Sequence, residues 1–184
     1  MTELEAVNTM LISIGEQPVD GLGLEGIPEV NIAKEILKQT SRQVQSPGFT
    51  FNTEENYPLQ LDVDGFIHLP PNTVKVTSLE DASIIRRGNR LYDKRKHTYV
   101  FDSPVRVDLV LALEFDELPQ TARDYITVRA ARIFQARVLG SEALHQFTAK
   151  DEYDAYMLLY REEIDQQDLN MFRNNSSVIQ MLRR

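Results

Sequence analysis

Apolar positions fall at helical spacing near the start of the chain, alternate through its middle, and return to helical spacing after Pro119. In residues 3–14, Leu4, Val7, Leu11 and Ile14 share one helical face, and Thr2 with Glu5 makes a capping-box pair. Gly15 and then Pro18 predict its end. Pro28 suits the first position of a second helix, 28–45. Its predicted buried stripe is Ile32, Ala33, Ile36, Leu37, Thr40 and Val44, and Ser46-Pro47-Gly48 terminates it. From Phe49 the period becomes two: Phe49 and Phe51 alternate with polar residues, as do Tyr57, Leu59, Leu61 and Val63. Short strands are expected at 66–69, 73–79, 83–87, 90–92 and 98–101. The clearest strand is 104–113, with Val105, Val107, Leu109, Leu111 and Leu113 on one face. Turn signals separate the strands at Asp64-Gly65, Pro70-Pro71-Asn72 and Gly88-Asn89.

Helices resume at 121–139, where Thr121 with Asp124 repeats the capping pattern and Ile126, Ala130, Ile133, Phe134 and Val138 supply an apolar face. Gly140 breaks the chain, Ser141 caps a long helix over 142–170, and residues 172–184 read as an extended tail. The expected fold is therefore α+β: a mainly α-helical bundle of four helices with an inserted small antiparallel β domain. The bundle is discontinuous (1–48 and 119–171), the insertion is 49–118, and the C-terminal tail is 172–184.

Composition narrows the function. The 184 residues are 42% hydrophobic and 26% charged, ordinary values for a chain that buries a real core. With no cysteine, disulfides and thiolate zinc sites are excluded. The acidic opening lacks the layout of a signal peptide, and no run is apolar enough for a membrane span, so cytoplasmic folding is the expectation. The net charge of −8 argues against ordinary nucleic-acid binding, which draws most of its affinity from a basic footprint. That charge is segregated: residues 119–140 carry +3, 141–168 carry −6 and 169–184 carry +3.

Candidate chemistry is sparse. Gly21, Gly23 and Gly26 spell G-x-G-x-x-G, but a helix precedes them where a dinucleotide site needs a strand, so a connector is the better reading. His68, His97 and His145 have no metal-ligand spacing around them, and no nucleophile elbow exists, so neither a cofactor nor a metal is expected. Glu54/Glu55 and Asp62/Asp64 leave open a tail-associated glycan or cell-wall hydrolase, which needs two carboxylates at a fixed separation.

The densest cationic feature, residues 86–96, has six cations against Asp93. Arg86, Arg87, Arg90, Lys94 and Lys96 would dock the hairpin on an acidic partner, or on DNA as a binding module. As a solvated hairpin those cations would instead discourage edge pairing and add little to stability. Tyr153, Tyr156 and Tyr160, with Met157 and Ile164, form a stripe on the fourth helix, expected to pack against the bundle, with a subunit contact as the alternative. In the tail, Val178, Ile179, Met181 and Leu182 follow Phe172 and a polar spacer, a compact apolar group of the kind that marks a partner site.

Three stretches carry a resemblance. Arg42-Gln43-Val44-Gln45-Ser46-Pro47-Gly48-Phe49-Thr50-Phe51-Asn52-Thr53-Glu54-Glu55 is similar to the R-Q-I-Q-S-x-G-W-T-F-N-x-E-E stretch of the tail tubular protein A family of T7-like short-tailed bacteriophages. Leu4-Glu5-Ala6-Val7-Asn8 with Ser13-Ile14-Gly15-Glu16-Gln17-Pro18-Val19 resembles the family's opening. Glu117-Leu118-Pro119 and Ala130-Ala131-Arg132-Ile133-Phe134 resemble the junction where its helices resume. The similarity covers most of 4–140 and fades in the fourth helix. It implies a structural virion protein, not an enzyme: a ring of twelve copies in the tail, between the portal protein and a tail nozzle protein of the tail tubular protein B type. Genomic DNA would pass through the bore without specific binding. Acidic helix faces lining that bore would repel phosphate and let DNA slide.

Overall fold

In the computed structural model the described residues are 1–23, 28–139 and 149–174, with side chains described up to Gln167 except that of Leu139. Among them lie four α-helices and small antiparallel sheets, an α+β fold. The chain forms two compact units, one combining 1–44 with the residues from Glu114 onward, the other Gln45–Leu113.

In the helical unit, α1 (Glu3–Ser13) starts with the anticipated capping box: the Thr2 hydroxyl accepts from the Glu5 backbone, and the Glu5 carboxylate accepts from the Thr2 N–H at 2.7 Å. It ends in a Schellman motif. Gly15 takes a φ of +87°, and the N–H groups of Glu16 and Gly15 reach back to the carbonyls of Leu11 and Ile12. The following connector is clipped onto the helix by Asn8, which donates to the Val19 carbonyl at 2.9 Å and accepts from its N–H at 2.8 Å. The connector reading of Gly21 and Gly23 fits this clip; Gly26 lies outside the described residues.

Helix α2 (Pro28–Gln45) buries Val30, Ala33, Ile36, Leu37, Thr40, Ser41 and Val44. Ile32 departs from the expected stripe and is exposed, because the buried arc centres between Ala33 and Leu37 and leaves position 32 on the outer side. Helix α3 (Gln120–Leu139) packs against both α1 and α4 (Ala149–Asn174). Its buried positions accordingly cover a wide arc: Ala122, Tyr125, Ile126, Thr127, Ala130, Ala131, Phe134 and Gln135. Thr121 does not cap α3. It stands inside the first turn, and its hydroxyl donates to the Glu162 carboxylate on α4. Two arginines tie the same helices further, Arg129 and Arg132 both gripping the nearly buried Glu152 carboxylate. Helix α4 continues past Met171 to Asn174, taking Phe172 into its last turn, while the expected cap at Ser141 lies outside the described residues.

In the β unit, β5 (Val105–Leu111) is the centre of a three-stranded antiparallel sheet between β1 (Thr53–Leu59) and β2 (Thr73–Ser78). Val105, Val107 and Leu109 point as expected into a core with Leu59, Ile67, Leu69 and Leu91. Alternation fails at Val110, which is also buried: the backbone at Gly48, with a φ of +95°, passes so close that a Cβ there would meet the valine methyl at 2.9 Å. Pro58 is tolerated because β1 is an edge strand. A second sheet pairs β3 (Ile84–Arg87) with β4 (Arg90–Asp93).

Three expected strand segments take other forms. Phe49 precedes a single 3-10 turn (Thr50–Asn52) that contains Phe51, and the two rings stack at 5.3 Å. Segment 66–69 makes only isolated bridges, because Phe66, Ile67 and His68 pair in turn with Val100, Leu61 and Arg90, and successive residues that change partner build no ladder. Segment 98–101 likewise contributes bridges at Thr98 and Val100.

Candidate functional site

The cationic hairpin is formed by β3 and β4 joined through Gly88-Asn89, with a φ of +67° at Gly88 as in a II′ turn. Most of its cations have work inside the unit. Arg86 reaches across to β2, donating to the carbonyls of Thr73 and Val74, and its Nε donates to Gly88. It thereby satisfies acceptors on an otherwise unpaired sheet edge. Arg87 lies 3.7 Å over the Tyr92 ring, and Tyr92 packs on Tyr99 at 4.7 Å. Arg90 lies over Phe66 and Tyr99, at 4.9 and 5.4 Å. Arg95 pairs with Asp81, and Lys96 with Asp102 at 3.4 Å. Among the described residues Lys94 is the hairpin cation without a side-chain partner, and it is exposed.

The buried Asp93 carboxylate organises the turn beyond β4. It accepts from the N–H groups of Arg95 and Lys96, at 2.8 and 3.0 Å, and from the Ser83 hydroxyl. The Lys96 N–H bond is the main cause of a pKa held below the ordinary 3.8, outweighing burial. His97 closes this turn with a φ of 54°, in the left-handed region.

The acidic pairs also serve local structure. Burial would raise the pKa of Asp62, but the N–H groups of Phe66 and Asp64, with His68, outweigh it and hold the carboxyl below 3.8. His68 Nε2 lies 3.0 Å from the same carboxylate. Glu54 sits on β1 opposite Leu109, just before the bulge where Asn56 takes a φ of 55°. His145, Val178, Ile179, Met181 and Leu182 lie outside the described residues, as does the side chain of Phe172.

Two polar residues that neither spacing nor composition singles out hold the β unit together at its base. Gln45, at the end of α2, is fully buried: its Nε2 donates to the Leu113 carbonyl at 3.1 Å, and its Oε1 accepts from the Leu113 N–H at 2.8 Å. Asn52 donates to the carbonyls of Gln45 and Leu111, at 3.1 and 2.8 Å, and accepts from the Phe49 N–H. Together they staple the entry and exit strands of the β unit. Both belong to the Gln45–Asn52 run that carries the resemblance, which was the one available signal.

The tyrosine stripe departs from the packing expected of it. Leu159 and Glu163 are the buried positions of α4 among its described side chains, whereas Tyr153, Tyr156, Tyr160 and Ile164 are exposed. A narrow packed face on α3 leaves most of the helix circumference to solvent.

A sequence profile described as tail tubular protein matches residues 4–169, nearly the whole chain and further into α4 than the three stretches reach. The chain belongs to the tail tubular protein family. It is a structural phage protein, a component of the virion tail, and not an enzyme. The tail tubular protein A of Klebsiella phage KP34 is 29% identical over 168 residues, covering 91% of this chain and 89% of that relative. Among the described residues no helix is long and apolar enough to cross a membrane.

Proposed function

We propose that this chain is the head-to-tail adaptor of a short-tailed phage. Twelve copies close a ring that joins the portal protein to a nozzle protein of the tail tubular protein B type and lines part of the DNA ejection channel. The observation that carries this reading is family membership across residues 4–169. Segregated charge supports it, since a head-to-tail ring needs two different, complementary faces on each copy. In this reading the helices of 1–48 and 119–171 are the ring body and the β insertion 49–118 is a docking module. Lys94, with Arg87, Arg90 and Lys96, meets an acidic surface of the nozzle, while Arg86 holds the hairpin in place. Phe172, Val178, Ile179, Met181 and Leu182 engage the portal or lock the ring. DNA slides past a net acidic body without specific binding.

The test is electron microscopy of the full-length protein mixed with the portal protein of the same phage. A closed ring seated on the portal is expected; absence of any complex overturns the reading. A chain lacking 173–184 should stay folded and lose the portal. Normal portal binding by that truncation removes the tail from the interface.

A further inference from the structure

We infer that the exposed tyrosine face of α4 is the surface through which one copy of this chain grips the next, an inference that rests on the ring reading above. At helical spacing Tyr153, Tyr156, Met157, Tyr160 and Ile164 fall on one flank of α4, beside its packed line through Leu159 and Glu163. Their exposures are large for apolar side chains: 60% for Tyr153, 38% for Tyr156, 45% for Tyr160 and 40% for Ile164. Taking ~200 Å² for a fully exposed side chain of this size, the stripe offers roughly 350 Å². A patch of this size is at the ordinary level for a monomer's largest and is often functional, and it would supply somewhat under half of the roughly 800 Å² per partner of a standard interface.

The face is also built in advance. Tyr156 packs on Tyr125 of α3 at 5.5 Å and on Tyr160 at 6.0 Å. Beside it a shallow cavity of about 320 Å³ is lined by Tyr125, Arg132, Ala149, Glu152, Tyr153 and Tyr156. Tyr156 and Tyr160, already packed beside a hollow that holds the ion-paired Arg132 and Glu152, cost little to order on binding.

Charge selects the occupant's orientation. Helix α4, Ala149–Asn174, has seven acidic and three basic residues, a net −4, so two α4 faces brought together symmetrically would repel. Docking of α4 on a different face of a second copy avoids that, and such head-to-tail contacts are the ones that close rings.

The test compares the full-length protein with Tyr153→Ser/Tyr160→Ser/Ile164→Ser, alone and with the portal protein, by sedimentation and circular dichroism. The variant is expected to melt like wild type and to self-associate about 100-fold more weakly. Tyr160→Ser alone, with hydroxyl-radical footprinting of wild type, covers misfolding of the triple variant: labelling of Tyr153 and Tyr160 should fall on assembly. If wild type assembles and the variants assemble equally, or if the labelling is unchanged, the α4 assignment is overturned while the ring stands. If wild type does not self-associate with or without portal, both are overturned.

Discussion

Replacing Gln45 by alanine tests the staple at the neck of the β unit. The wild-type amide makes two bonds to the backbone of Leu113, and its residue is fully buried at the end of α2. Each bond contributes a net of about 1 kcal/mol. The Leu113 groups are only partly buried, so water recovers some of their lost bonding, while the deleted methylene and amide leave a void. Together these terms give a loss of about 2–3 kcal/mol. For a chain of this length the thermal midpoint should fall by about 5–10 °C.

The assay is urea and thermal unfolding followed by far-UV circular dichroism, with Gln43→Ala as the exposed control on the same helix. The Leu113 amide, deprived of its acceptor, should exchange faster with deuterium in Gln45→Ala than in the control. Gln45→Glu adds a signature. It sets a second acceptor against the Leu113 carbonyl, so its carboxyl pKa should lie above the ordinary value. The destabilisation should be full above that raised pKa and relax as pH falls through it, when protonation restores a donor. A midpoint in Gln45→Ala within about 1 °C of the control, with unchanged Leu113 exchange, would refute the staple.

Three further substitutions follow from the same geometry. Glu152→Ala should cost about 1–2 kcal/mol, because it leaves the half-buried Arg129 only the Tyr125 hydroxyl and frees Arg132; denaturant midpoints equal to wild type would contradict the tie. Arg86→Ala should lower stability by about 1 kcal/mol while Lys94→Ala changes it negligibly, since only Arg86 holds carbonyls of β2; equal effects in thermal melts would dismiss that division. Asp93→Asn should be less stable than wild type at neutral pH. A carboxylate with a depressed folded pKa contributes stability above its unfolded value, lost as pH falls through the folded one. The gap to wild type should therefore close below about pH 3.8, and a gap that persists in acid argues against the role given to Asp93.

How much of this was legible beforehand depends on whether a signal was local. The α1 capping box, its Gly15 stop, the Pro28 start and the inward face of β5 all follow from spacing and turn chemistry, and all appear. Phe49 and Phe51 alternate like strand residues, yet Asn52 captures the Phe49 N–H and closes a turn, a competition by side-chain bonding that periodicity cannot register. Segment 66–69 has strand composition but three different partners, and partner choice is a property of the fold. The candidate site was legible in part. The cation density of 86–96 is visible in sequence, but its allocation is not: Arg86 is spent on a sheet edge, Arg87 and Arg90 on aromatic rings, Arg95 and Lys96 on aspartates.

The misplacement of the α4 stripe is instructive for a different reason. Helical periodicity reports that a face is apolar, and says nothing about which chain covers it. On α3 the apolar arc is matched within the unit by α1 and α4, and the expectation of burial holds for Ile126, Ala130 and Phe134. On α4 the packed line is narrow, and on its second apolar flank Tyr153, Tyr156, Tyr160 and Ile164 stay exposed although Tyr156 packs on the ring of Tyr125. The same holds in miniature for Ile32, apolar, at helical spacing, and outward on α2. In a protein whose role is assembly, such positions are where intramolecular packing stops accounting for the sequence. A single exposed apolar residue such as Ile32 is ordinary on a protein surface, whereas a grouped flank like that of α4 is the less common case. A second surface that removed the α4 tyrosines and Ile164 from water would add burial free energy that their own unit leaves unused.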